Sequence, residues 1–243
     1  MASPEPPALE LRSLTAGYGA RKVLNGLDLH VQPGELVAVV GHNGAGKTTA
    51  LRVAAGLKTP SEGSIFQSGR DLRGMSASAR ARGGLGLVPE GVAGLFPTLT
   101  VRENLDAVQV YAEAKDPDGW AHVEAEMRAL FATVLEDRSG QVAGSMSGGQ
   151  RQMLAIALAL TRRPSVLLLD EPSTGLGPAI VGTIFKVLET LVASTSTAVV
   201  LVEQNLADAL KVAHRVVVVQ SGRAVATFPR DNFPPATELW KYF

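Results

Sequence analysis

The stretch Leu36–Thr49 reads LVAVVGHNGAGKTT. Its first five residues form a continuous apolar run, the pattern of a strand buried on both faces in mid-sheet. Gly41-His42-Asn43-Gly44-Ala45-Gly46-Lys47-Thr48 then fits the phosphate-loop pattern GxxxxGK[ST], followed by a helical stretch from Lys47 to about Leu57. Glycines let backbone N–H groups turn inward at a helix N-terminus, where the dipole favours an anion. Lys47 would add a point charge for the β- and γ-phosphates, and the Thr48 hydroxyl would ligate Mg²⁺. A glycine-rich turn could match by accident, but the strand–turn–helix context argues against that.

Downstream, VLLLDEP (Val166–Pro172) is an apolar strand ending in two carboxylates. Alone, such a pair reads as a helix cap or a solvated turn. Placed after a phosphate loop in the same sheet, Asp170 is positioned to hold Mg²⁺ and Glu171 to polarise an attacking water, which is nucleoside triphosphate hydrolysis. AVVLVE and RVVVVQ are further buried-strand runs, with helices expected at Pro178–Ser194 and Asn205–Ala213. This βαβ rhythm predicts a largely parallel sheet covered on both faces. Upstream, LELRSLTAGYG and KVLNGLDLHV alternate as antiparallel strands do, and GSIFQSG (Gly63–Gly69) adds another. The expected architecture is one α/β domain: a core over 1–89 and 161–243, interrupted by a helical insertion over about 90–160.

Composition bounds the function. Lys plus Arg number 23 and Asp plus Glu number 23, so no excess of positive charge exists to grip nucleic acid. There is no cysteine, which removes disulfides, thiolate metal sites and thiol nucleophiles. The start, MASPEPPALELR, lacks a basic region followed by an apolar run and reads as a short frayed leader. Apolar stretches such as Met153–Leu160 and Val216–Val219 are far short of the roughly 20 residues of a membrane-spanning helix. A soluble chain is expected, with any membrane role supplied by a partner. His30, His122 and His214 have no metal-ligand spacing, and His42 occupies a variable loop position pointing outward.

Met146-Ser147-Gly148-Gly149-Gln150 opens an apolar helix just before the acidic strand. It resembles the LSGGQ signature of ABC ATPases, with Met at the first position, and the resemblance then covers essentially the whole chain. It implies ATP and Mg²⁺ as cofactors. It also implies that Ser147, Gly148, Gly149 and Gln150 bind the γ-phosphate of an ATP held by a partner subunit. The nucleotide contacts expected on one chain are Tyr18, stacked on adenine, and Gly41, Asn43, Gly44, Ala45, Gly46, Lys47, Thr48 and Thr49. Thr48, Glu90 and Asp170 are the expected metal-site oxygens. Lys47, Glu171 and Gln204 are the expected catalytic groups, and Ser173–Gly177 the loop crossing the dimer interface.

Glu90, Gly177 and Gln204 stand where most relatives have Gln, Asp and His. The combination of PEG with FPTLTVRENL, LLLDEPSTGLGP and VEQN is similar to the second ATPase subunit of branched-chain (hydrophobic) amino-acid importers, with urea and short-amide importers close by. Val92-Ala93-Gly94 replaces the basic residue expected after PEG. Gln204 can donate a hydrogen bond but cannot become cationic, which predicts a slower site beside a non-identical ATPase partner. The resemblance further implies permease subunits, a substrate-binding protein acting indirectly, and a cytoplasmic position on the inner membrane face. Export, or a soluble non-transport ABC ATPase, are the alternatives.

Overall fold

Every residue of Leu36–Val40 is buried, and the reason lies on both sides of the strand. Leu36, Ala38 and Val40 face one apolar cluster while Val37 and Val39 face another. A strand covered on both faces needs no polar alternation, which is why the run is continuous. The computed structural model describes residues 5–91, 94–113, 120–132, 138–239 and 241.

Two sheets share the cluster that Val37 and Val39 face. β1 (Leu9–Tyr18), β2 (Arg21–Val31), β4 (Glu62–Gln67) and β5 (Arg70–Asp71) form an antiparallel sheet in the order β2-β1-β4-β5. The second sheet has the order β10-β9-β3-β8-β7-β6. It comprises β3 (Leu36–Val40), β6 (Leu85–Val88), β7 (Val166–Asp170), β8 (Ala198–Val202), β9 (Arg215–Gln220) and β10 (Arg223–Pro229). All its neighbours pair in parallel except β10, which returns antiparallel along the edge. The predicted fold, an α/β phosphate-loop core with an antiparallel β part, is therefore observed. α1 (Lys47–Ala54) packs between the two sheets, and α2 (Ala77–Arg82) leads into β6. The opposite face of the larger sheet is covered by α5 (Gly148–Leu160), α6 (Pro178–Ser194) and α7 (Leu206–Val212).

Between β6 and β7 the described elements are all helical: α3 (Val101–Glu113), α4 (Trp120–Leu130), a short 3₁₀ turn at Ala143–Ser145, and α5. Val101, Leu105, Met127 and Phe131 join the same apolar cluster as α5 and the sheet. Met153–Leu160 is a buried helix segment, as its length required. A last short helix, α8 (Ala236–Leu239), follows β10. No helix among the described residues is long and apolar enough to cross a membrane. Met1–Pro4 of the leader, Val92, Ala93 and Trp240 lie outside the described residues.

α1 ends at Ala54, earlier than its sequence suggested. Leu57 N–H donates to Arg52 O and Gly56 N–H to Val53 O, the paired bonds of a Schellman stop. The buried Arg80 seals this end. One of its terminal nitrogens donates to the carbonyls of Val53 (2.9 Å) and Ala54 (2.8 Å), and the other to that of Leu72 (2.9 Å). A guanidinium is well matched to the unpaired carbonyls and negative pole of a helix C-terminus. Arg80 thus anchors the helix whose other end carries the phosphate loop.

Candidate active site

The strand order decides which side chains meet. β3 lies beside β8, and β8 beside β7, all parallel, so their C-terminal ends open on one edge. That edge is where open α/β sheets present ligand sites. A cleft of about 280 Å³ there is lined by Asn43, Gly44, Gly46, Lys47, Thr48, Thr49, Glu90, Glu171 and Gln204, together with Val23.

Gly46 adopts φ 110°, a conformation that strains any residue with a Cβ, and it starts α1 without a side-chain cap. The loop before it is held by Ala45 N–H donating to His42 O. Lys47 is buried, and its ammonium donates to Gly41 O (2.6 Å) and His42 O (3.2 Å). Burial lowers the Lys47 pKa, while the carboxylates of Glu171, Asp170, Glu203 and Glu90 pull it back up. His42 itself is exposed, as expected.

Thr48 Oγ donates to Asp170 Oδ1 at 3.0 Å. Asp170 is buried, and burial raises its pKa against that hydrogen bond. These two hard oxygen donors therefore converge on one point, and several carboxylates surround a single lysine. No group of three or more His, Cys, Asp or Glu able to hold a metal occurs among the described residues. That donor set suits Mg²⁺, which binds through one or two protein oxygens and keeps water and phosphate oxygens for the rest.

Glu171 sits one residue beyond β7 at φ 47°, a left-handed conformation unusual for a residue with a side chain. Its N–H is held by Val202 O. Its Oε2 accepts from Gln204 Nε2 at 2.6 Å and from Thr174 Oγ1 at 3.3 Å. The carboxylate is thus held at the cleft by Thr174 of its own loop and by Gln204 beyond β8, an arrangement able to orient water and take a proton.

Tyr18 ends β1 and is 50% exposed, with Lys58 Nζ 4.0 Å above its ring centroid. A hydrogen bond from Arg52, and a lesser one from Thr49, lower its hydroxyl pKa. An adenine stacking here would use the other ring face or displace the lysine. Ser147 and Gln150 form a capping box at the start of α5: Ser147 N–H donates to Gln150 Oε1 and Gln150 N–H to Ser147 Oγ. The first-turn N–H groups of Gly148 and Gly149 have no intrahelical acceptor. None of Ser147–Gln150 lines the cleft at the phosphate loop. Gly177 is the N-cap of α6 and supplies no side-chain bond to that helix start.

Matches to known proteins fit this geometry. A family profile described as ABC transporter matches residues 24–174. The chain belongs to the ABC transporter ATPase family. This ABC ATPase is 41% identical over 217 residues to the high-affinity branched-chain amino acid transport ATP-binding protein BraG of Pseudomonas aeruginosa, covering 89% of this chain and 91% of BraG. It is 35% identical to the Nod factor export ATP-binding protein I of Paraburkholderia xenovorans, over 90% of this chain and 70% of that protein. Similarity to the aliphatic sulfonates import protein SsuB of Rhodopseudomonas palustris is also 35%, over 92% and 75% of the two chains. A solved ATP-binding subunit of an ABC transporter superposes with TM-score 0.83 at 27% identity, over 96% of this chain and 98% of that one. The chain is an ATP-hydrolysing subunit of an ABC transporter.

Sequence reasoning passed over Glu203. It is only 1% exposed and accepts from Ser173 N–H (3.1 Å) and Ser173 Oγ (2.8 Å). Burial raises its pKa to about 6, against these bonds. The available signal was an acid ending a five-residue apolar run. Because the folded protein binds this proton more tightly than the unfolded chain, its stabilising share is complete below the unfolded value and lost as pH rises through about 6. That loss is about 2 kcal/mol. Glu203→Gln, which does not titrate, is therefore expected to gain on the wild type between pH 5 and 7.5 in thermal melts. A stability difference independent of pH would contradict the raised pKa.

Proposed function

We propose that this ABC ATPase energises import of branched-chain or other hydrophobic amino acids through membrane permease subunits. The observation that carries this reading is the 41% identity to BraG along nearly the full length of both chains. The Glu90, Gly177 and Gln204 pattern points the same way. Relatives named for export and for sulfonate import lie at 35%, so cargo is the part the experiment must decide.

In the proposed cycle ATP binds at the phosphate loop with Lys47 on its β- and γ-phosphates, Tyr18 on the base, and Thr49 beside them. Thr48, Asp170 and Glu90 would hold a magnesium ion, which when bound neutralises charge on the transferring phosphoryl group. Glu171 orients water and accepts its proton, and Gln204 steadies that carboxylate. Ser147–Gln150 do not line their own cleft and would close over the ATP of a second ATPase subunit, identical or, as we favour, non-identical. Closure would drive the permease between inward and outward access. The permease would rest in an apolar groove of about 400 Å³ between α3, α5 and β6, whose lining includes Leu57, Leu87, Val108, Leu158 and Arg162. The helices over about 90–160 would then act as the signature subdomain, and the chain would sit peripherally on the cytoplasmic membrane face.

Uptake of labelled leucine, isoleucine and valine in cells lacking this chain tests the cargo, with urea and an aliphatic sulfonate as alternatives. Loss of leucine-class uptake, restored by the chain, is expected. Normal uptake with impaired efflux would move the assignment to export. In the assembled complex, Gln204→His is expected to raise turnover, because a cationic donor faces the developing charge. An unchanged or lower rate would remove the slow-site reading and leave Gln204 as the better partner for Glu171.

A further inference from the structure

The two side chains that hold the proposed base are themselves tied together by one buried residue. Gln204 and Thr174 both donate to Glu171 Oε2, from different segments of chain. The Glu203 carboxylate accepts from Ser173 N–H, from Ser173 Oγ and from the backbone N–H of Gln204. Glu171, Gln204, Glu203, Ser173 and Thr174 therefore close a ring in which every link is a hydrogen bond or a peptide bond. Glu203 is where β8 and the loop after β7 join. Its own N–H donates to Val39 O of the phosphate-loop strand, fixing it to the central sheet.

We infer that Glu203 is a positioning residue for ATP hydrolysis, holding Gln204 and the Ser173–Thr174 segment so that both aim the Glu171 carboxylate. Three features separate this role from a generic buried acid. A carboxylate that is 1% exposed carries a large desolvation cost, and an apolar residue of similar size would avoid it. All the bonds identified at its carboxylate go to residues that flank or touch Glu171, none to the distant core. Finally, Glu171 stands at φ 47°, so its direction depends on what grips it from outside its own strand. Ser173 also begins the loop Ser173–Gly177, so the same carboxylate links the base to the segment assigned to the subunit interface. Gly177 supplies no side-chain cap at the end of that loop.

The inference rests on the reading of Glu171 as the base, and the test separates the two. Glu203→Gln keeps the shape but presents an amide N–H₂ to one of the Ser173 donors. Ser173→Ala removes the hydroxyl from the other side. Each is expected to lower kcat about 10- to 100-fold, because small misplacement of a catalytic group is costly, while KM for ATP and direct ATP binding stay within about twofold. The double variant should cost little more than either single one, because both break the same link. Loss of ATP affinity in parallel with kcat would overturn the positioning role in favour of a structural one. So would a Glu203→Gln kcat within twofold of wild type when Glu171→Gln is inactive. Full turnover by Glu171→Gln would instead remove the base assignment, and the positioning role with it.

Discussion

Glu171→Gln is expected to lower ATP turnover by ~10²–10⁴-fold while leaving ATP affinity within about threefold. The substitution keeps the volume of a nearly buried side chain and keeps an oxygen able to accept from Gln204, now bonded to Glu171 at 2.6 Å. What it removes is the capacity to take a proton from water. Lys47 and the loop N–H groups, which would grip the phosphates, are untouched. Phosphate release and equilibrium nucleotide binding check the two halves separately, and turnover within tenfold of wild type would exclude Glu171 as the base. The same variant answers a second question. On size-exclusion chromatography, an ATP-dependent shift from monomer to dimer would mean that two copies complete each other's sites. Bound ATP without dimerisation would point to a different ATPase partner.

Gly222→Ala is expected to destabilise the fold by about 3 kcal/mol or more and to weaken ATP binding along with it. Gly222 lies in the turn between β9 and β10 at φ 75°, and a Cβ there would stand 2.0 Å from Val23 O. The obstacle is backbone, so no rotamer change relieves it. Gly222 N–H donates to Ala45 O at 2.8 Å inside the phosphate loop, and its carbonyl accepts from Asn25 N–H at 3.0 Å. Moving the turn therefore pulls on the loop directly. Gly74→Ala is the control. Its φ of 73° is similar but nothing lies within 4 Å of the added Cβ, so it should cost only about 1–2 kcal/mol. Urea unfolding of both variants checks this, and equal losses would mean that backbone strain alone, not the clash, sets the effect.

How much of this was legible beforehand follows from how local each feature is. The strand–loop–helix around Lys47, the acidic strand end at Asp170 and Glu171, and the helix start at Ser147 each lie within a short window. Their chemistry needs particular residues at fixed spacing, so the residues alone announced them. The helix limits Pro178–Ser194 were readable for the same reason, from a proline start and an apolar period. The early end of α1 was less so, because its stop at Gly56 is completed by Arg80, 24 positions away in the chain. Glu203 did not stand out as a functional group, since an acid after an apolar run ordinarily faces water. Its burial depends on Ser173, which reaches it only because β7 and β8 pair in parallel.

The sequence by itself determined the phosphate loop, the acidic strand end, the signature helix start and hence the family. Each is a short-range pattern in which backbone geometry and residue type are bound together. The tertiary structure decided the order β9-β3-β8-β7, the ring through Glu203 that aims Glu171, and the separation of Ser147–Gln150 from the cleft of their own chain. Those outcomes depend on which distant segments pair and on which polar groups find partners once water is excluded, and no local period in the chain encodes that.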